Sequence, residues 1–99
     1  MTTRYRNETA LQTAIRRKLE GLGWFVLKLH GSALKAGLPD LLALQAAPVP
    51  RCADVLWIET KMPAGKLRKI QEAQIKVLRR LGFEVLVARS VEEVLEVVA

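Results

Sequence analysis

The sequence predicts a small α/β domain in which a mixed β-sheet is flanked by helices, in the order α-β-β-β-α-β-α. Two observations indicate this class. Segments with apolar residues at helical spacing alternate with short runs of aliphatic and aromatic residues, and glycine or proline lies at most of the boundaries. A length of 99 residues, 51% of them hydrophobic, also suits one modest core. We therefore expect a single domain over residues 1–99.

The first helix is predicted to begin after Asn7, whose side chain can cap it, and to end at Gly21 and Gly23. Its apolar residues repeat at helical spacing: Leu11, Ala14, Ile15, Leu19 and Leu22. Glu8 falls in line with this stripe, which is an unusual position for an acid. The sequence therefore marks Glu8 as a candidate site residue.

Three apolar runs follow, at 24–30, 40–44 and 55–61, and each is predicted to be a strand. Alternation along the third run places Glu59 and Lys61 on one face, where charges at the end of an apolar strand are costly without partners. Asp40 begins the second run and can approach Glu59 if the two strand ends are adjacent. Two close carboxylates repel each other, and a divalent cation relieves that repulsion.

A long helix is predicted over residues 67–81, followed by a strand at 83–88 and a short helix that begins after Ser90. The predicted buried stripe of the long helix lists as Leu67, Ile70, Val77, Leu78 and Leu81. Gln71 and Gln74 fall on or beside this stripe. A buried amide needs a hydrogen-bond partner, so both are candidates for the edge of a site.

Each of these polar residues also has an interpretation without chemistry. Glu59 and Lys61 can form an exposed cross-strand pair, and Asp40 can be a turn residue after a proline. Glu8 can favour the helix dipole, and the two glutamines can be a solvated flank. The order in which they all occur favours a shared site.

The charge balance favours a polyanionic partner, because 16 lysines and arginines against 10 acids give a net charge of +6. The single cysteine, Cys52, excludes an internal disulfide, and no Cys/His cluster offers a zinc site. No apolar segment approaches the ~20 residues of a membrane span. We expect a cytoplasmic protein with no membrane partner.

The ordered set of motifs resembles the PD-(D/E)xK nuclease superfamily and, within it, the virus-type replication-repair nuclease domain, VRR-NUC. The motifs are Glu8 on an opening helix, Gly37-Leu38-Pro39-Asp40, Ile58-Glu59-Thr60-Lys61, Gln71, and Leu78-Arg79-Arg80-Leu81-Gly82. The resemblance extends from Glu8 to Val97. Arg68 departs from it, since many relatives carry a small hydroxyl residue there that can cap the following helix.

This resemblance implies a restriction-endonuclease-like core and metal-dependent hydrolysis of phosphodiester bonds. It further implies a homodimer, encoded by a bacterium or phage, that cuts branched DNA such as four-way junctions. Asp40, Glu59 and the Thr60 backbone carbonyl would bind Mg²⁺ or Mn²⁺, and Lys61 would orient the attacking water or neutralise charge on the phosphate. Glu8 would act through water or a second metal, and Gln71 would position Lys61 or the nucleophile.

Six basic residues are predicted to contact DNA phosphates: Arg4, Arg6, Lys28, His30, Lys35 and Lys66. For His30 a polar position at a strand end is favoured over a metal ligand, because a lone histidine has no partner at ligand spacing. Two other functions stay open. One is a nucleic-acid-binding module without catalysis, within a replication, repair or phage complex. The other is an interaction domain whose sheet edge pairs with a partner.

Overall fold

A computed structural model of the chain describes residues 4–29, 36–46 and 54–98. Within these residues the elements are α1 (Glu8–Gly21), β1 (Phe25–Lys28), β2 (Leu41–Gln45), β3 (Asp54–Thr60), α2 (Lys69–Arg80), β4 (Glu84–Ala88) and α3 (Val91–Val98). The predicted α/β class and the order of the elements are therefore confirmed. The boundaries differ from the predicted ones by one or two residues at most ends, as helix and strand ends commonly do.

The four strands form one mixed sheet in the order β1-β2-β3-β4. The β1/β2 and β2/β3 pairs are antiparallel, whereas β3 and β4 are parallel and α2 supplies the crossover between them. Leu41 pairs with Ile58, so Asp40, just before β2, and Glu59, just after Ile58, come to the same end of the sheet. Strand register thus places the two acids together.

The two faces of the sheet carry separate apolar cores. Helices α1 and α3 cover one face, and the buried residues there are Leu11, Ile15, Leu19, Leu41, Ala43, Leu56, Ile58, Ala88 and Val94. Helix α2 covers part of the other face, where Ile75, Leu78 and Val85 pack with Trp57. The two cores together fix the central strand β3 between three helices.

Helix α1 begins and ends where its sequence predicts. The Asn7 side chain accepts a hydrogen bond from the backbone N–H of Ala10 at 2.9 Å, which caps the first turn. Gly23 has a φ of 95°, and the adjoining Trp24 N–H bonds back to the Leu19 carbonyl. The predicted burial of Leu22 is wrong, because this residue follows the helix and is exposed.

Helix α2 buries only part of its predicted stripe: Leu78 is buried and Leu67 is partly buried, as predicted. Ile75 and Leu78 are buried, whereas Ile70, Val77 and Leu81 are exposed. The buried pair and the exposed set of three each repeat at helical spacing. The two sets lie about 100° apart around the helix axis, which is the rotation of one residue. Periodicity alone therefore cannot choose between them. The observed rotation brings Gln71 and Gln74 to the half-buried edge of the helix.

Gly37, which precedes β2, lies tightly against the start of α2. Its φ is +85°, and a Cβ atom added there would lie 2.7 Å from the Ile70 carbonyl oxygen. Only glycine satisfies both the left-handed backbone and the close approach. This contact sets the spacing between the segment that carries Asp40 and the helix that carries Gln71.

Candidate active site

Two carboxylates meet where β3 ends. Asp40 Oδ2 accepts the backbone N–H of Thr60 at 2.8 Å, which attaches the start of β2 to the end of β3. Glu59 lies on the face that α2 covers, and its side chain is only 3% exposed. The alternative interpretation of Glu59 and Lys61 as an exposed cross-strand pair is therefore wrong.

Burial makes both acids difficult to ionise. The pKa of Glu59 is raised from 4.5 to about 7, mainly by desolvation and in addition by the nearby charge of Asp40. Desolvation also raises the pKa of Asp40, while the Thr60 N–H lowers it. The two acids thus share an environment that disfavours two negative charges unless a cation balances them.

Lys61 is the cation that the chain itself supplies. Its backbone N–H bonds to the Ala88 carbonyl at 3.0 Å, which fixes it just beyond the paired ends of β3 and β4. Its ammonium nitrogen lies 3.9 Å from Glu59 Oε1 and 3.8 Å from Glu8 Oε1. Lys61 is therefore held between the buried acid of β3 and the first turn of α1.

Gln71 joins α2 to the acids. Its Nε2 donates to Glu59 Oε1 at 3.1 Å, and its Oε1 accepts the backbone N–H of Arg68 at 2.8 Å. Arg68 is the N-cap of α2 and its side chain makes no capping hydrogen bond. Gln71 thus satisfies the N-cap residue's own N–H, and it orients one Glu59 oxygen at the same time.

The structure brings together every residue predicted for catalysis or metal binding, namely Glu8, Asp40, Glu59, Thr60, Lys61 and Gln71. Their chemical roles remain predictions. Among the predicted DNA contacts, Arg4, Arg6, Lys28 and Lys66 are exposed. His30 and Lys35 lie outside the described residues.

Sequence reasoning missed two residues beside the site. The Gln12 side chain lies near Asp40 and slightly lowers the pKa of that carboxyl. Arg89 donates to the Gly65 carbonyl at 2.9 Å, which holds the turn that follows Lys61. Gln12 lies four residues after Glu8, so helical spacing offered a signal for it, whereas Arg89 belongs to no recognisable motif.

The oxygen donors at this end of the sheet fit a small divalent cation. No three His, Cys, Asp or Glu side chains group as a metal site within residues 4–29, 36–46 and 54–98. A cation at this position would therefore need water or phosphate oxygens among its ligands. Mg²⁺ and Mn²⁺ accept hard oxygen donors, and Mg²⁺ usually keeps several waters.

A mixed four-stranded sheet with two carboxylates and a lysine at one strand end defines a nuclease-type α/β domain. The model of the VRR-NUC domain family matches residues 5–92. The chain therefore belongs to the VRR-NUC family, as its motifs indicated.

Solved structures agree with this assignment. The chain is similar to one described as a VRR_NUC domain, with 27% identity, 92% of each chain covered and a TM-score of 0.75. It also resembles a VRR_NUC domain protein in fold, with 20% identity, coverage of 97% of this chain and 88% of the other, and a TM-score of 0.74. No curated protein matches the chain. None of the helices in the described residues has the length and apolar character needed to cross a membrane.

Proposed function

We propose that the protein is a divalent-metal-dependent DNA endonuclease. One observation carries the proposal: Asp40 and the buried Glu59 meet at one strand end, with the Lys61 ammonium 3.9 Å from Glu59. A buried acid next to a half-buried one, both with raised pKa values, costs stability, which is typical of sites kept for chemistry. Membership of a nuclease family supports the same function.

In this proposal Asp40, Glu59 and the Thr60 carbonyl hold the cation. When bound, Mg²⁺ or Mn²⁺ supplies Lewis-acid chemistry, because it polarises a phosphoryl oxygen and makes water acidic enough to attack near neutral pH. The Lys61 ammonium stabilises the negative charge that develops on the phosphate. Its two carboxylate neighbours keep it in place, since each lies within 4 Å of its nitrogen.

Glu8 and Gln71 have supporting roles in the same proposal. The Glu8 side chain is 50% exposed, so it can hold a water molecule at the open side of the site while it pairs with Lys61. Gln71 fixes Glu59 Oε1 through its amide and leaves the other oxygen of that carboxylate to face the cation. Arg4, Arg6, Lys28, His30, Lys35 and Lys66 would contact the DNA backbone, in the cytoplasm.

The substrate we propose is branched DNA, cut by a homodimer. Exposed apolar residues on the α2 side of the sheet support the dimer, because a second copy of the chain could cover them. Large apolar side chains are exposed there, namely Phe25, Leu27, Ile70, Val77, Leu81 and Phe83. A cluster of exposed apolar side chains suits a protein partner, and two-fold dimers are the commonest oligomers. Two sites related by a two-fold axis would suit a four-way junction.

The direct test is cleavage of labelled four-way junctions, flaps and single strands with Mg²⁺ or Mn²⁺. We expect Lys61→Ala to lower the rate by about 10²–10³-fold, the usual cost of removing a group that stabilises transition-state charge. Lys76→Ala removes an exposed lysine from the outer side of α2 and should leave the rate unchanged. Equal rates for the wild type and Lys61→Ala on every substrate would refute the nuclease proposal, and binding without cleavage would favour the non-catalytic module.

Sedimentation velocity tests the dimer separately. We expect Leu81→Glu to shift the protein toward monomer, because it places a charge on the exposed stripe of α2. Val97→Glu is the matched control, since Val97 is an exposed apolar residue on α3, across the sheet. A wild-type monomer at all concentrations would exclude the dimer without affecting the proposal of cleavage.

A further inference from the structure

One row of polar side chains runs along α1 away from the acids. Glu8, Gln12 and Arg16 are spaced four residues apart and therefore lie along the same side of the helix, about 6 Å from one to the next. Glu8 pairs with Lys61, and Gln12 lies close enough to Asp40 to lower the pKa of that carboxyl slightly. The third member, Arg16, has no part in the proposed chemistry, although it continues the line that begins at the site.

Arg16 borders a small pocket between α1 and β1. The pocket has a volume of about 40 Å³ and is lined by Gln12, Thr13, Arg16 and Lys28. Such a volume exceeds the roughly 10–15 Å³ that one water molecule requires. Two of the four lining side chains are cations, and the other two can donate hydrogen bonds.

The Arg16 guanidinium lacks a partner within the described part of the chain. Its Nε atom is buried there and makes no hydrogen bond. The ion pairs in residues 4–29, 36–46 and 54–98 are those of Lys61, so neither Arg16 nor Lys28 is neutralised by an acid in these ranges. A buried donor without an acceptor destabilises a protein, and an anion in the pocket would provide the acceptor.

The pocket's chemistry favours a phosphate group over a carboxylate side chain of the protein itself. A guanidinium binds phosphate oxygens through two parallel N–H groups, and a neighbouring ammonium adds charge. Hydroxyl and amide groups from Thr13 and Gln12 can donate to the remaining oxygens. The chain places this donor set beside Asp40, through Gln12.

We propose that Arg16, with Lys28, Thr13 and Gln12, forms a subsite for one backbone phosphate of the nucleic acid strand, next to the bond that is cut. This inference rests on the proposed nuclease function for its substrate. Arg16 and Lys28 bind the phosphate, and the Glu8–Gln12–Arg16 row aligns the strand along α1.

The first experiment measures DNA binding without cleavage, by fluorescence anisotropy of a labelled junction in EDTA across a range of salt concentrations. We expect Arg16→Gln to weaken binding about 5–20-fold at low salt and to reduce the salt slope by about one unit, the signature of one lost phosphate contact. Arg17→Gln is the matched control, because this exposed neighbour loses the same charge about 100° around α1 from the Glu8–Gln12–Arg16 row. Equal losses in the two variants would overturn the subsite.

A second experiment locates the phosphate. Each phosphate near the cleavage point is replaced in turn by an uncharged methylphosphonate, and the affinity of the wild type and Arg16→Gln is compared. We expect one position at which the wild type loses affinity and Arg16→Gln loses none. If both proteins respond equally at every position, Arg16 contacts no phosphate and the inference fails. Equal melting temperatures, and partial recovery in Arg16→Lys, show that the variants are folded.

The outcomes separate this inference from the proposed function. Position-specific loss of binding in Arg16→Gln without any cleavage would support the subsite and refute the nuclease. Cleavage by the wild type, with Arg16→Gln and Arg17→Gln indistinguishable in binding and in KM, would support the nuclease and refute the subsite. Absence of DNA binding by the wild type would refute both.

Discussion

The two ends of β3 both carry acidic side chains, yet the chain treats them differently. Where the strand begins, Asp54 and Glu84 are exposed and border an open cavity of about 480 Å³. Where it ends, Asp40 and the buried Glu59 have fixed hydrogen-bond donors in Thr60 and Gln71. The acids beside this open cavity are therefore not the ones that hydrogen bonds hold in place. Burial of charge against its own cost is the better indicator of chemistry in this fold.

The largest contrast between the ends should appear in cleavage. Asp40→Asn removes a proposed cation ligand, and we expect the rate with Mg²⁺ to fall by about 10²–10³-fold or more, since the variant loses charge stabilisation of the transition state. Asp54→Asn makes the same change at the other end of β3 and should leave the rate unaltered. A rate measurement on a four-way junction compares the two, and similar rates would remove Asp40 from the proposed site.

The next contrast is in stability against pH, without metal. The Glu59 carboxyl, with a pKa of 4.5 in the unfolded state and about 7 in the folded state, binds more protons when the protein is folded. Its contribution to the free energy of unfolding is therefore full below pH 4.5 and is lost as the pH rises through 7. At about 1.4 kcal/mol per pKa unit, the loss due to Glu59 is on the order of 3 kcal/mol. We expect Glu59→Gln to remove most of this pH dependence.

Urea denaturation in EDTA between pH 5 and pH 8 provides the measurement. Glu84→Gln serves as the control at the start of β4, where the side chain is exposed. Asp40, Lys61 and Glu8 also influence the pKa of Glu59, so their variants should change the midpoint of the effect. A Glu59→Gln protein that retains the full wild-type pH dependence would show that Glu59 is not the group that titrates.

A divalent cation should restore the stability that is lost at high pH, and it should do so through Asp40 and Glu59 only. At pH 8 and a cation concentration of about 100 times Kd, binding to the folded state adds about 2.7 kcal/mol to its stability. We expect Mg²⁺ or Mn²⁺ to raise the Tm of the wild type and of Asp54→Asn, and to have no effect on Asp40→Asn. Differential scanning calorimetry measures the shift, and an equal shift in all three proteins would point to nonspecific binding.

The smallest effect, a change in the free energy of unfolding, should come from the glutamine side chains. Gln71→Ala removes the hydrogen bonds to Glu59 and to the Arg68 N–H, at a cost of about 1–2 kcal/mol in stability. The control is Gln45→Ala, because Gln45 lines the open cavity at the opposite end of the sheet. Both are compared by urea denaturation, and equal costs would mean that Gln71 has no special role in ordering the acids.

The sequence predicted the elements and the acids better than it predicted the packing between them. Asp40 and Glu59 stood out because an acid on an apolar strand breaks a short-range pattern, and strand register then brought them together. The prediction for α2 was wrong at Ile70, Val77 and Leu81, which are exposed. It also missed Ile75, because two sets of apolar residues with equal period compete and contact with β4 selects Ile75 together with Leu78.

The partners of the acids were harder to foresee. Gln12 and Arg89 approach the site through the angle of α1 and the end of β4, which depend on the whole assembled core. The pairing of Lys61 with Glu8 likewise depends on where the first turn of α1 sits relative to the end of β3. Local sequence patterns carry no record of such tertiary distances.

Gly37 limits which substitutions the chain can accept. Gly23 and Gly82 also have positive φ values, but a methyl group at either would meet open space, so backbone strain is the only obstacle there. At Gly37 the Ile70 backbone blocks the methyl group as well. A substitution at Gly23 or Gly82 therefore strains only the local backbone, whereas one at Gly37 would also have to separate the Asp40 segment from α2.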